Sequence, residues 1–180
     1  MEIDLSKYKA ICFNLDNVLY PEKDYLLQVY YLFAQFMEYT EQMDAAAITD
    51  FLKYEFETNG AEELFSKVQT KFKIPEKYEH NFNLLHCTAR LPLKLLLFQS
   101  SLSLMQEAVG KGLEVIVLVD GNPEVQINKI KQIEWNGLEK DIKIYFTVEF
   151  GKDRLSAKNN LTEAINLTTD EVCWIDVKNP

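Results

Sequence analysis

Tyr8 to Leu15 (YKAICFNL) is a short apolar run, β-branched and aromatic, that stops at the polar cluster Asn14 to Asn17. Apolar residues at successive rather than alternate positions predict a strand buried on both faces, as in a parallel sheet, running into a loop. Three later stretches read the same way: Leu113 to Val119 (LEVIVLV), Lys143 to Val148, and Glu171 to Ile175 (EVCWI). Helical spacing fills the gaps. One helix is expected from Leu93 to Val109, opened by Pro92 and closed at Gly110-Lys-Gly112. A second runs through Val125 to Gln132 after the turn Asp120-Gly121-Asn122-Pro123, and a third from about Leu155 to Leu167. Strand and helix in alternation predict an α/β fold: a Rossmann-like parallel sheet with right-handed crossovers and helices on both faces.

Between the first and second strands the pattern is helical only. Tyr25, Val29, Leu32, Phe33 and Phe36 recur at steps of three and four, as do Ile48, Phe51, Leu52 and Phe56. Asn59-Gly60 breaks the pattern, and Leu64, Phe65 and Val68 resume it until Pro75. Helices without an intervening strand predict an inserted helical cap over residues 20–92, with the α/β core formed by residues 1–19 and 93–180.

A chain of 180 residues, 47% hydrophobic, can bury one such core and a smaller subdomain. A net charge of −9 with no basic patch argues against nucleic acid as a partner. Cys12, Cys87 and Cys173 lack metal-ligand spacing, and so do His80 and His86, so a reducing compartment and no zinc site are expected. The longest apolar stretch, Leu93 to Phe98, contains Lys94 and is too short to span a bilayer, and the N-terminus has no apolar leader. A cytoplasmic protein without a membrane partner is expected. The aromatic stripe Tyr25, Tyr30, Tyr31, Phe33 and Phe36 reads as the cap's own core, and Lys129 and Lys131 as a solvated helix face.

In an open parallel sheet, ligands bind beyond the carboxyl ends of the strands. That directs attention to Asn14–Asn17, Val119–Asn122, the segment after Val148, and Asp176 onward. ICFNLDNVLYPEKDY (residues 11–25) resembles the first motif of the haloacid dehalogenase-like (HAD) hydrolase superfamily, an apolar strand followed by Asp-x-Asp. VIVLVDGN (115–122) is similar to its second motif, an apolar strand ending in Thr or Ser, and VCWID (172–176) to the start of its fourth. Order, spacing and inserted cap together make the likeness specific, and it extends from about Tyr8 to the end of the chain.

The resemblance implies a magnesium-dependent phosphohydrolase site. In that chemistry a first aspartate attacks phosphorus, a second protonates the leaving group, and a lysine with Thr or Ser holds the phosphoryl oxygens. Carried over, the nucleophile position is Asn14, whose neutral amide cannot serve. Asp16 keeps the acid/base position. Val119 stands at the hydroxyl position, with Asp120, Gly121 and Asn122 as the adjoining ligand loop. Lys152 is assigned the lysine role, with Lys158 as the alternative. Magnesium, the implied cofactor, would fall to Asn14, Asp16 and Asp176 and be held weakly or not at all, since Val177 follows where a second acid is expected.

These losses predict a catalytically silent protein that binds a protein partner or a phosphorylated small molecule without turnover. The alternative is a weak magnesium-dependent phosphohydrolase of unknown substrate. The resemblance further implies the strand order 4-1-2-3. Because the chain stops at Asn179-Pro180, where a fifth strand would follow, the last strand is expected at an exposed edge able to pair with a second copy.

Overall fold

The computed structural model describes residues 3–176; Val177 lies outside the described residues. In chain order they form β1 (Ala10–Phe13), α1 (Glu22–Glu41), α2 (Ala45–Asn59), α3 (Leu64–Phe72), α4 (Glu79–Thr88), β2 (Leu95–Leu96) and α5 (Gln99–Gly110). There follow β3 (Glu114–Val119), α6 (Pro123–Gln132), β4 (Ile133–Glu134), β5 (Ile142–Phe146), α7 (Thr147–Phe150), α8 (Arg154–Ala164) and β6 (Val172–Ile175). The chain divides into two compact units. One runs through Glu22, Leu95–Gln126 and from Ile133 onward; the other comprises Lys23–Lys94 and Ile127–Gln132.

The first unit is built on a parallel sheet in the order β5-β3-β1-β6. Its centre is β1, where Ala10, Ile11, Cys12 and Phe13 are all buried, as a strand covered on both faces requires. Along β3 every residue from Val115 to Val119 is buried. Ala157 and Leu161 of α8 pack on Ala10, Cys12, Ile116, Leu118 and Val172, while alternation along the strands turns Ile11, Phe13, Val115 and Val117 to the opposite face. The register sets Phe13 beside Val117 on one side and Ile175 on the other, so the ends of β1, β3 and β6 lie side by side. Burial pushes the Cys12 thiol up to about 12, so it packs as a small apolar group.

Four sequence expectations are corrected. Pro92 does not open a helix: Leu95 is buried and Leu96 is 65% exposed, the two-residue alternation of a strand, and this pair adds to β4 before α5 starts at Gln99. The third strand ends at Phe146, not Val148, because Glu149 reaches back to accept from the Phe146 N–H and winds Thr147–Phe150 into a helical turn. The last helix spans Arg154–Ala164, capped by Asp153, whose carboxylate accepts from the Ser156 N–H at 2.9 Å. Lys129 is not on a solvated face: it is only 2% exposed, with its ammonium 5.4 Å from the centre of the Tyr25 ring.

The second unit is helical. α1 buries Tyr25, Val29, Tyr30, Phe33 and Met37, and α2, α3 and α4 contribute Ile48, Leu52, Phe65, Val68 and Phe82. Phe82 is its hub, stacked parallel on Tyr30 at 5.9 Å and edge-on to Phe33 at 5.0 Å. The Tyr25 hydroxyl donates to the carbonyl of His86 and accepts from the Asn128 amide. α2 ends at Gly60, whose φ of +78° favours glycine.

The His86 ring packs against Tyr30 and Phe82. Burial, helped by the charge of Lys129, lowers its pKa from 6.5 to about 4. The unfolded chain then takes up a proton near pH 6.5 that the folded chain resists. The resulting stability is complete above that value and is lost as pH falls toward 4. His86→Phe should flatten an acid-induced loss of about 3 kcal/mol across this window in urea unfolding curves. An unchanged pH slope in that variant would contradict the assignment.

Candidate functional site

The chain leaves β1 through a tight loop fixed by its own polar groups. Asn14 donates its backbone N–H to the Ile175 carbonyl at 3.0 Å, and its side-chain Oδ1 accepts from the Leu15 N–H at 2.8 Å. Asn17 takes φ of +60°, which asparagine tolerates better than most residues, and its Oδ1 accepts from the Glu22 N–H at the start of α1. The loop is tied to α5 by the Ser101 hydroxyl on the Val18 carbonyl and by the Phe98 N–H on the Leu19 carbonyl, both 2.7 Å. Leu15, Leu19 and Tyr20 are fully buried beneath it. The loop's geometry is therefore set by packing and local hydrogen bonds.

Asp16 accepts from the Tyr20 hydroxyl at 2.7 Å on one oxygen and from the Gln126 amide at 2.8 Å on the other. Gln126 is 6% exposed and also donates to the Asp120 carbonyl at 2.7 Å, so it joins the loop after β3 to the loop after β1. Gly121 makes this approach possible. Its φ is +97°, and a Cβ there would stand 3.3 Å from the Gln126 amide nitrogen. Asn122 opens α6 by accepting from the Glu124 N–H at 2.9 Å, with Pro123 as the first helical residue. Val119 is 1% exposed and offers no hydroxyl.

The remaining acids are engaged by bases. Arg154 directs Nε and Nη2 at one oxygen of Asp176, 2.9 and 2.7 Å away. Its Nη1 reaches Asp120 at 2.5 Å and the Leu118 carbonyl at 3.2 Å. Lys158 donates to the second oxygen of Asp176 and lies 4.7 Å over the Trp174 ring. The Thr147 hydroxyl donates to the second oxygen of Asp120. Burial pushes the Asp176 carboxyl up, but the bonds from Lys158 and Arg154 outweigh it and hold the group below the ordinary aspartate value of 3.8.

The structure thus gathers Asn14, Asp16, Val119, Asp120 and Asp176 at adjoining strand ends of the first unit. Lys152 is exposed and makes no ion pair among the described residues; Lys158, its alternative, is the lysine on Asp176. Sequence reasoning missed Arg154, Thr147, Gln126 and Tyr20. Arg154 carried one legible signal: it follows the capping residue Asp153, and a cation in the first turn of a helix opposes the helix dipole unless acids face it. Thr147 was hidden by the misplaced end of the third strand.

A magnesium ion requires oxygen ligands in near-octahedral order, chiefly carboxylates free to turn toward it. These residues do not fit it. Asn14 brings no charge, both oxygens of Asp176 serve bases, and both oxygens of Asp16 accept protein hydrogen bonds. Among the described residues no group of three or more His, Cys, Asp or Glu is placed to hold a metal.

No protein-family model matches the sequence, and no curated protein matches it. Solved structures do. A β-phosphoglucomutase-like protein from Thermotoga maritima is 12% identical, with a TM-score of 0.61 over 92% of this chain and 74% of that one. A HAD family hydrolase from Deinococcus radiodurans R1, solved with bound phosphate and sodium, is 13% identical, with a TM-score of 0.53 over 93% and 72%. A haloacid dehalogenase-like hydrolase from Xanthomonas campestris is 15% identical, with a TM-score of 0.51 over 93% and 72%. At such identities the likeness is one of fold.

Asp176 supplies a direct test of the ion-pair network. Its depressed folded pKa means that its contribution is complete above about pH 5 and disappears as acid protonates the folded carboxyl. Asp176 keeps 35% of its side-chain surface in solvent, so screening limits the loss on Asp176→Asn to about 1–2 kcal/mol at neutral pH. Urea unfolding should show that difference shrinking as pH falls below 3.8; a pH-independent difference would rule the ion pairs out as its source.

Proposed function

From the HAD-like fold as premise, we propose that the chain is catalytically silent and binds a protein partner or a phosphorylated small molecule without turnover. One observation carries the reading: at the end of the central strand, where the fold's hydrolases present an attacking carboxylate, this chain presents the amide of Asn14. An amide neither attacks phosphorus nor brings negative charge to a cation. Losing the nucleophile of a cooperating set costs about a million-fold in rate, on the order of 8 kcal/mol. Val119 compounds the loss, because no hydroxyl donates to a phosphoryl oxygen there.

A phosphorylated ligand is supported by the Deinococcus radiodurans hydrolase of the same fold, which carries bound phosphate. A protein partner is supported by the sheet order, in which β6 is an edge strand among the described residues; a second copy of this chain is the partner that a parallel or antiparallel pairing there would recruit. Cytoplasmic residence belongs to the same reading and agrees with three unbridged cysteines. Among the described residues no helix is long and apolar enough to cross a membrane.

Pure protein incubated with magnesium and a panel of phosphomonoesters should give no turnover above background. Turnover abolished by Asp16→Ala would instead establish a weak magnesium-dependent phosphohydrolase. Asn14→Asp combined with Val119→Thr should recover only a small fraction of the hydrolase rate, since Asp176 stays paired with Arg154 and Lys158. Recovery of rates typical of active enzymes, about 10 per second, would refute that expectation.

A further inference from the structure

We infer that Arg154 is a resident cation: its guanidinium, seconded by Lys158, neutralises the strand-end acids that a divalent ion would otherwise have to bridge, and so makes this unit metal-independent. The oxygens around Arg154 carry the inference. Asp120 and Asp176 contribute one carboxylate oxygen each, from the ends of β3 and β6, and Leu118 contributes a backbone carbonyl. Carboxylates and a main-chain carbonyl drawn from separate chain segments are the oxygen donors a hard cation takes. Here they surround a planar cation whose fork of N–H groups matches them.

The charges balance. Two acids, Asp120 and Asp176, meet two bases, Arg154 and Lys158. Little capacity for a second cation remains, since Arg154 spends four of its five N–H directions on these oxygens. An incoming divalent ion would have to evict the guanidinium from these oxygens.

The backbone is shaped to keep Arg154 there. It occupies the first turn of α8, where the helix dipole disfavours a cation, so local preference does not explain its position. Gly151 lets the first turn of α8 come close: a Cβ at that position would lie 2.8 Å from Ser156 Cβ and 2.9 Å from the Ala157 nitrogen. A side chain there would push α8 outward and draw the guanidinium off its acids.

The inference is separate from catalytic silence, and the outcomes distinguish the two. Metal binding without turnover overturns only the resident cation; metal-free turnover overturns only the silence.

The test uses the whole chain, titrated calorimetrically with MgCl2 and MnCl2 and melted in millimolar MgCl2 or in EDTA at matched ionic strength. The wild-type protein should show no saturable binding and no shift in Tm between the two conditions. Saturable one-to-one binding with a rise in Tm, both lost in Asp176→Asn, would overturn the proposal. Arg154→Met with Lys158→Met retains the apolar stems and removes both charges. Its Tm should fall by about 5 °C or more, and MgCl2 should restore part of the loss where NaCl of equal ionic strength does not. A double variant as stable as wild type, or one indifferent to magnesium, would also overturn it. Where that variant does not fold, the wild-type titration decides the matter alone.

Discussion

The ion pairs from Arg154 to Asp120 and Asp176 tie the ends of β3 and β6 to the first turn of α8. A parallel sheet forces this arrangement, because all its strands end on one side and polar residues that follow them collect there. With Asp120 and Asp176 so close, their mutual repulsion must be answered by a cation. In this chain the cation is the Arg154 side chain, supplied by a helix that also covers one face of the sheet through Ala157 and Leu161. Packing and electrostatics thus act through the same element. A change that shifts α8 alters both.

Asn14 fits that economy. A carboxylate at its position would add a third negative charge near Asp176, since the Asn14 N–H bonds to the carbonyl of Ile175, the residue before it. The amide instead bonds to the next residue's N–H and leaves the local charge balanced. Asp16 is likewise satisfied within the protein, by Tyr20 and Gln126. Asp120 and Asp176 are likewise held by Thr147, Arg154 and Lys158.

Much of the fold was legible because buried parallel strands advertise themselves as unbroken apolar runs. AICF and EVIVLV are such runs, and their order relative to VCWI gives the sheet that forms. Boundaries were harder, for reasons particular to each. Leu93 to Phe98 has apolar residues enough for a helix, but Leu95 and Leu96 alternate between buried and exposed. Thr147 and Val148 have strand propensity, yet the Glu149 side chain bends the backbone into a turn. Asn14, Asp16, Val119, Asp120 and Asp176 could be read from position alone as strand-end residues, and they lie at adjoining strand ends. Arg154 and Gln126 could not be found that way, since each reaches the strand ends from a helix whose phase depends on its exact first residue. Lys129 shows the same limit: its spacing says surface, and tertiary packing buries it beside Tyr25.

The most direct measurement is a crystal structure determined from crystals grown with magnesium and a phosphate mimic. The account predicts the Arg154 guanidinium between Asp120 and Asp176, with the Asn14 amide turned to the Leu15 N–H. A six-coordinate magnesium ion seated between Asp16 and Asp176, with Arg154 swung away, would contradict it.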